Sequence, residues 1–176
     1  MNTDVIYYKI EILKRYVDRI KAKRPQSSVV LAKEFDRQDI ILMNLQRAVK
    51  ICVDIAAYIL AGSTLPPPMS MEDAIYQIYM LEIISKTTCE KMQRSVKFRN
   101  IAIHEYDNIN WEIVYSIISN HLDDFREYAR EVFQWLETKP DTAKLVYRWD
   151  AFLVKGVFLE CNQNRLNFGD MTLFLI

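Results

Sequence analysis

The sequence predicts an all-helical protein that folds as an up-and-down bundle of amphipathic helices. The chain has 176 residues, of which 51% are hydrophobic, so it can bury one core of ordinary domain size. It contains only three glycines, whereas strand-rich folds need many tight turns. Apolar residues recur at steps of three and four in several long segments, which is the spacing of one helix face. Helices with one apolar face each must pack together, and this favours a bundle.

The first two predicted helices are separated by a proline. The first covers about residues 3–24, and Pro25 ends it and opens a linker over residues 25–28. Its apolar stripe consists of Ile6, Ile10, Leu13, Val17 and Ile20. The second covers about residues 36–61 and ends at Gly62, before a stiff proline-rich connection.

Three further helices are predicted. The third starts near Ser70, with Asp73 three residues later in the arrangement of a capping box. A fourth covers about residues 88–103. The last and longest covers about residues 111–137, with Asn110 as its N-cap. Its apolar positions are Trp111, Val114, Ile118, Leu122, Phe125, Ala129, Val132 and Leu136.

The segment after residue 139 differs in character from the helical part. The sequence therefore predicts a helical domain over residues 1–139 and a C-terminal extension over residues 140–176. In the extension, residues 157–168 can form two short strands around a polar turn. Its apolar end is costly to leave in water, so we expect it to pack on the bundle, a second subunit or a partner. A partly disordered appendage is the alternative.

Composition excludes several classes of protein. The 23 basic and 23 acidic residues balance, so any RNA-binding surface must be a local patch. The three cysteines are far apart and form no metal-ligand spacing, which indicates free thiols in a reducing compartment. The charged N-terminus lacks a signal-peptide core, and the longest apolar stretch, over residues 55–62, is too short to span a bilayer. We expect a cytoplasmic protein with no metal site, no cofactor and no membrane segment.

Local positive charge surrounds one of the two histidines, His104. Residues 86–104 contain five basic residues against the single acid Glu90. The basic residues are Lys86, Lys91, Arg94, Lys97 and Arg99. An arginine can bind two phosphate oxygens, and an imidazole with a reference pKa of about 6.5 can move protons near neutral pH. This combination suits metal-free phosphodiester cleavage, with His104 as general acid or base and Arg99 stabilising the charge on phosphorus.

The spacing of Arg99 and His104 restricts how they can meet. Five residues on an ideal helix separate two side chains by about 140°. They can converge only if the helix ends or bends between them, or if two subunits each supply a copy at a two-fold interface. A structural role is the alternative, because basic residues near a helix C-terminus also stabilise its dipole. The other histidine, His121, lies within the last predicted helix and is interpreted as a surface or interface residue.

Residues 99–106, which read RNIAIHEY, resemble the RX4HXY signature of the HEPN toxins of HEPN/MNT toxin–antitoxin systems. The match includes a polar residue, Asn100, directly after the arginine. Residues 36–60 resemble the second helix of that family, and the proline-containing connection and residues 113–136 also fall where the family has them. The resemblance covers about residues 3–137 and excludes the extension from Pro140 onwards.

The resemblance implies a HEPN helical bundle and a homodimer whose two motifs face each other. It implies a type VII-like toxin that cleaves RNA, with tRNA as the expected substrate, through Arg99, His104 and Asn100. The implied partner is an MNT nucleotidyltransferase antitoxin that transfers AMP from ATP to Tyr106. Adenylates there would place charge and bulk where the RNA phosphate binds. Without the family pattern, Tyr106 is interpreted as a half-buried aromatic residue with its hydroxyl in water.

Two supporting residues and two other functions complete these expectations. Asp39, near the start of the second helix, is a candidate for orienting Arg99, and Lys97 is a candidate for supporting the site. A non-catalytic HEPN module that binds nucleotide, or presents substrate to a nucleotidyltransferase, is the alternative function. The intact Arg–His pair favours the nuclease, and the neutral net charge favours the binding module. A plain helical interaction protein is the third possibility.

Overall fold

The computed structural model describes residues 2–104 and 109–139. Within these residues it contains seven α-helices and no β-strand. The helices are α1 (Thr3–Lys23), α2 (Ser28–Leu31), α3 (Phe35–Leu60), α4 (Met71–Met80), α5 (Lys86–His104), α6 (Trp111–Asn120) and α7 (Leu122–Glu137). The predicted all-helical bundle is confirmed. Tyr106 and the extension, including its predicted strands, lie outside the described residues, and the boundary at residue 139 stays a prediction.

Helix α3 lies at the centre of the bundle and packs against α1, α4 and α5. It buries a nearly continuous row of apolar side chains. All five positions of the predicted α1 stripe, from Ile6 to Ile20, are buried against this core. Complete burial of one such aliphatic side chain contributes about 1.5–3 kcal/mol, so the stripe fixes α1 on the bundle.

The start of α4 is held by a reciprocal set of hydrogen bonds. The Ser70 hydroxyl oxygen accepts from the Asp73 amide at 3.0 Å, as the capping-box pattern predicted. The Asp73 carboxylate accepts from the Met69 amide at 2.8 Å and from the Gln77 side chain at 3.0 Å. These bonds satisfy backbone donors that a helix N-terminus leaves unpaired, and they make the first turn of α4 a defined platform.

The short helix α2 was not predicted, because its first residue fell in the expected linker over residues 25–28. Ser27 is its N-cap, and its hydroxyl oxygen accepts from the Val30 amide at 3.3 Å. Leu31 is fully buried, and its carbonyl oxygen accepts from the buried Gln38 side chain at 2.8 Å. A helix of four residues is too short to show a periodic pattern.

The prediction of one long helix over residues 111–137 is wrong. The backbone departs from helical geometry at His121, where φ is −121° and ψ is 5°, and this separates α6 from α7. The acids Asp123 and Asp124 then occupy the first turn of α7, where they suit the helix dipole. Ile118 and Leu122 are buried on either side of the break, so the apolar spacing continues through it and conceals it.

Among the described helices, none combines the length and the apolar character that are needed to cross a bilayer. The predicted cytoplasmic location stays a prediction.

Candidate active site at the end of helix α5

Helix α5 carries Arg99, Asn100 and His104 on one continuous helix that runs from Lys86 to His104. It does not end between Arg99 and His104, so the two side chains project about 140° apart. The structure thus keeps them on different faces of α5 within one copy of the chain. The sequence left two ways for Arg99 and His104 to converge. A continuous helix fits the second way, in which a different subunit supplies each side chain.

Arg99 is half-buried against the start of α4. Its Nη1 donates to the Met71 sulfur at 3.5 Å, and its Nε is shielded from solvent without a hydrogen-bond partner among the described residues. A thioether is a weak, uncharged acceptor. In the part of the chain that the structure describes, no carboxylate lies within ion-pair distance of Arg99. The guanidinium thus keeps an uncompensated positive charge there.

Asn100 and His104 lie on a neighbouring, more open face of α5. The Asn100 side chain is half-buried and its Nδ2 donates to Glu72 Oε1 at 3.5 Å. His104 is the last residue of the helix and is exposed. Side chains four residues apart on a helix are neighbours, with about 5–6 Å between their Cβ atoms. The structure thus places the polar residue of the motif next to its histidine.

Lys97 lies seven residues before His104, so helix geometry places both on the same face, about 20° apart. Its side chain is exposed and forms no ion pair within residues 2–104 and 109–139. Asp39 is exposed near the start of α3. The described hydrogen bond of Arg99 leads to α4, so the orientation of Arg99 by Asp39 stays a prediction.

The local basic cluster is smaller than the charge count suggests. Lys91 lies 3.0 Å from Asp124 and 2.8 Å from Glu127, both on α7. The hydrogen bonds that Lys91 donates to Glu127 and Asp124 raise the pKa of Lys91, and the bond from Lys91 lowers the pKa of Glu127. Lys91 is therefore a cation that joins α5 to α7. Because the two carboxylates already compensate its charge, it attracts phosphate only weakly.

Three residues from other helices contact the motif, and the sequence did not predict these contacts. Gln46 on α3 donates to the carbonyl oxygen of Ala102 at 3.2 Å, in the last turn of α5. Met71 and Glu72 bring the start of α4 to Arg99 and Asn100. In the sequence, Glu72 is indistinguishable from any acid in the first turn of a helix, so no local signal marked it.

The remaining candidate groups lie away from this site. His121 is exposed, with its Nδ1 3.3 Å from the Asp124 carboxylate, which agrees with a surface role. Cys52 and Cys89 are buried free thiols, and burial raises the pKa of both. Neither cysteine suits nucleophilic chemistry, since the reactive thiolate is disfavoured. No group of three or more metal-ligating side chains occurs among the described residues.

The sequence profile of the family described as Ribonuclease HepT-like matches residues 10–132. The chain belongs to this family. The mRNA nuclease HepT of Shewanella oneidensis is 32% identical over 125 residues, which cover 71% of this chain and 93% of that protein. The tRNA nuclease HepT of Aphanizomenon flos-aquae is 25% identical over 134 residues, which cover 76% of this chain and 91% of that protein.

Solved structures give the same result for the fold. The tri-AMPylated HEPN toxin of Shewanella oneidensis, in complex with its MNT antitoxin, matches with a TM-score of 0.70 at 30% identity. The match covers 76% of this chain and 99% of that toxin. The cytosolic protein YutE of Bacillus subtilis matches at 0.67 with only 10% identity and covers 78% and 92% of the two chains, which shows a shared fold alone. The predicted HEPN bundle and the predicted class, a nuclease toxin of the HEPN/MNT type, are confirmed at the level of the family.

Proposed function

We propose that this chain is the toxin of a toxin–antitoxin pair and cleaves RNA without a metal ion. The observation that carries the proposal is the Arg99 guanidinium, which is half-buried, lacks a carboxylate partner in the described structure and shares the last turns of α5 with the exposed His104. A cation that no carboxylate of the described residues neutralises is available to a phosphate. Lys97, on the same face as His104, adds a second positive charge for the RNA backbone.

The proposed reaction uses the ribose of the substrate as the nucleophile. His104 takes the proton from the 2′-hydroxyl, the 2′-oxygen bonds to phosphorus, and the bond to the 5′-oxygen of the next nucleotide breaks. A protonated imidazole returns a proton to that leaving oxygen. Arg99 stabilises the additional negative charge on the phosphate oxygens in the transition state. The products are a 2′,3′-cyclic phosphate and a 5′-hydroxyl.

The proposed active unit is a homodimer, because a continuous α5 keeps Arg99 and His104 on different faces of one copy. In a two-fold interface, Arg99 of one protomer can approach His104 of its partner. Ile101 and Ile103 lie within the motif, between Asn100 and His104, with 52% and 43% of their surface exposed. Apolar side chains beside a charged site are costly in water and suit a buried subunit contact.

The proposed substrate is RNA, with tRNA as the first candidate. The two curated relatives are named for different RNAs, mRNA and tRNA, so the names support the substrate class more firmly than its type. Both RNAs offer unpaired nucleotides whose 2′-hydroxyl is free to attack.

The proposed partner is an MNT nucleotidyltransferase that silences the toxin by AMPylation of Tyr106. The Shewanella toxin was solved in a tri-AMPylated form with its MNT antitoxin, which supports this mode of control. Tyr106 follows His104 by two residues. Adenylates attached there would bring phosphate charge close to Arg99 and His104 and would compete with the phosphate of RNA.

The cleavage proposal is tested with the purified chain and labelled tRNA in the presence of EDTA. We expect cleavage that leaves 5′-hydroxyl ends, and a rate lower by about 10²–10⁴-fold in His104→Ala, the usual range for loss of a general acid–base group. His121→Ala removes the other, exposed histidine and is the matched control, with a rate within about twofold of the original. Loss of cleavage in EDTA, or equal rates in the two histidine variants, would contradict the proposal.

The modification proposal is tested with Tyr106→Phe. This variant should remain toxic when expressed alone, since the substitution retains the aromatic ring and removes only the hydroxyl that accepts AMP. Co-expression with the nucleotidyltransferase should rescue growth for the unaltered toxin and for Tyr8→Phe, an exposed control, but not for Tyr106→Phe. Mass spectrometry should find AMP on the peptide that contains residue 106. Full silencing of Tyr106→Phe would show that another residue or another mechanism is responsible.

A non-catalytic binding module is the second candidate, and the neutralisation of Lys91 favours it by reducing the local positive charge. This candidate predicts that the chain binds a nucleotide or its nucleotidyltransferase and cuts no RNA at any concentration. The cleavage assay above separates the two functions directly.

A further inference from the structure

Glu72 is an acidic side chain that hydrogen-bonds to the motif in the described structure. Its Oε1 accepts from Asn100 Nδ2 at 3.5 Å, a long hydrogen bond of the kind that often shortens when a site binds its substrate. The first turn of α4, which carries Glu72, is fixed by the Ser70 and Asp73 caps. Ala74 and Ile75 in the same helix are buried in the core. Glu72 thus presents its carboxylate from a well-defined position.

The chemistry of this contact determines the orientation of the Asn100 amide. An ionised carboxylate only accepts hydrogen bonds, so Asn100 must turn its NH2 group towards Glu72. Its Oδ1 is then directed away from Glu72 and is available as an acceptor. The neighbouring polar group on that face of α5 is His104, one turn further along the helix.

We propose that Glu72 is a positioning residue for the cleavage reaction. It holds the Asn100 amide so that Oδ1 accepts a hydrogen bond from the His104 imidazole, which fixes the ring orientation and leaves the other nitrogen free for proton transfer. The inference rests on the proposed ribonuclease function and adds to it a residue outside the sequence motif. It assigns to α4 a part in catalysis that the motif on α5 does not reveal.

Two simpler roles for Glu72 make different predictions. As a helix-dipole residue, Glu72 would affect only the stability of α4, so its loss would lower Tm and leave kcat unchanged. As a plain negative charge, it would act on RNA binding, so Glu72→Ala and Glu72→Gln would alter KM equally. A positioning role instead lowers kcat and depends on the presence of Asn100.

The test is a double-mutant cycle on RNA cleavage by the full chain. We expect Glu72→Ala to lower kcat about tenfold, within the range of coupled contacts, with KM within about twofold. Glu72→Asp, which keeps an acceptor-only group, should recover part of the rate. Glu72→Gln should not, because its amide can also donate and thereby permits the flipped Asn100. In an Asn100→Ala background, Glu72→Ala should cause no further loss.

Glu90→Ala is the matched control, because it removes an exposed acid from α5 that lies ten positions before Asn100. Its kcat should equal that of the unaltered chain. An equal loss from Glu72→Ala with and without Asn100 would overturn the positioning role while leaving the ribonuclease proposal intact. Full activity of Glu72→Ala would do the same. Absence of cleavage by the unaltered chain would instead remove the proposed function, and this inference with it.

Discussion

Lys91 in the first half of α5 and Arg99 in the second half have opposite kinds of partner. In the first half, Lys91 pairs with Asp124 and Glu127, and Thr88 donates to Glu131 at 3.0 Å. In the second half, Arg99 donates only to an uncharged thioether within the described residues. Polar groups that are paired with α7 fasten the helix to the bundle. Polar groups that are left without an opposite charge are the ones that a phosphate can use.

Lys91 and Arg99 differ in the partners that they contact and not in the sign of their charge. Each half contains basic residues, and a charge count along the sequence treats them alike. Only the packing of α7 against Lys91, and of the start of α4 against Arg99, separates a compensated charge from one without a carboxylate partner among the described residues. A charged motif therefore becomes a candidate site only after its neighbours from distant parts of the chain are known.

The largest expected contrast is between Arg99→Ala and Lys91→Ala. Loss of the Arg99 guanidinium should lower kcat/KM by roughly 10²–10³-fold, as for other groups that stabilise transition-state charge. Lys91→Ala should keep kcat/KM within about threefold and should lower Tm, because it leaves Asp124 and Glu127 beside each other without their cation. Cleavage kinetics, Tm and circular dichroism measure these effects. If Arg99→Ala and Lys91→Ala both stay folded and lose activity equally, the proposed difference between these two cations is contradicted.

A smaller contrast is expected between the exposed residues Lys97 and Lys86. Lys97 shares a face and a helix end with His104, whereas Lys86 lies at the opposite end of α5. Lys97→Ala should weaken RNA binding and reduce the slope of log affinity against log salt by about 0.7, the value for one lost phosphate contact on a single strand. Lys86→Ala should leave the slope unchanged. Binding titrations at several salt concentrations measure the two slopes. Equal slopes for Lys97→Ala and Lys86→Ala would contradict a phosphate contact at Lys97.

The smallest expected effect is the acid sensitivity of the Lys91–Glu127 pair. The pKa of Glu127 is lowered by Lys91, so its stabilising contribution is present above the ordinary glutamate pKa of about 4.3 and is lost as the pH falls through the lower folded value. Glu127→Gln should thus lower Tm slightly near neutral pH and should converge with the unaltered chain in strong acid. Calorimetry at both pH values measures the difference. If the difference in Tm between the two proteins persists in acid, the ionised Lys91–Glu127 pair is not its cause.

The sequence predicts those parts of the fold in which a local pattern determines the structure. The α1 stripe and the Ser70 cap are both confirmed, because helix periodicity and capping depend on residues a few positions apart. The break at His121 could not be predicted, since buried residues keep their spacing across it.

At the site, the sequence indicates the motif but not its surroundings. The contact between Glu72 and Asn100 joins positions 28 residues apart, and nothing in either local sequence specifies it. The neutralisation of Lys91 likewise depends on carboxylates of α7, more than 30 positions away.

The hydrogen bond from Gln46 to the carbonyl of Ala102 has a consequence for how this toxin can be inactivated. Helix ends fray readily, and His104 lies within the last turn of α5, which this amide secures to the central helix. A substitution at Gln46 would allow that turn to unwind locally while the rest of the bundle stays folded. Genetic selections for cells that survive the toxin should therefore recover changes in α3 as well as in the motif itself.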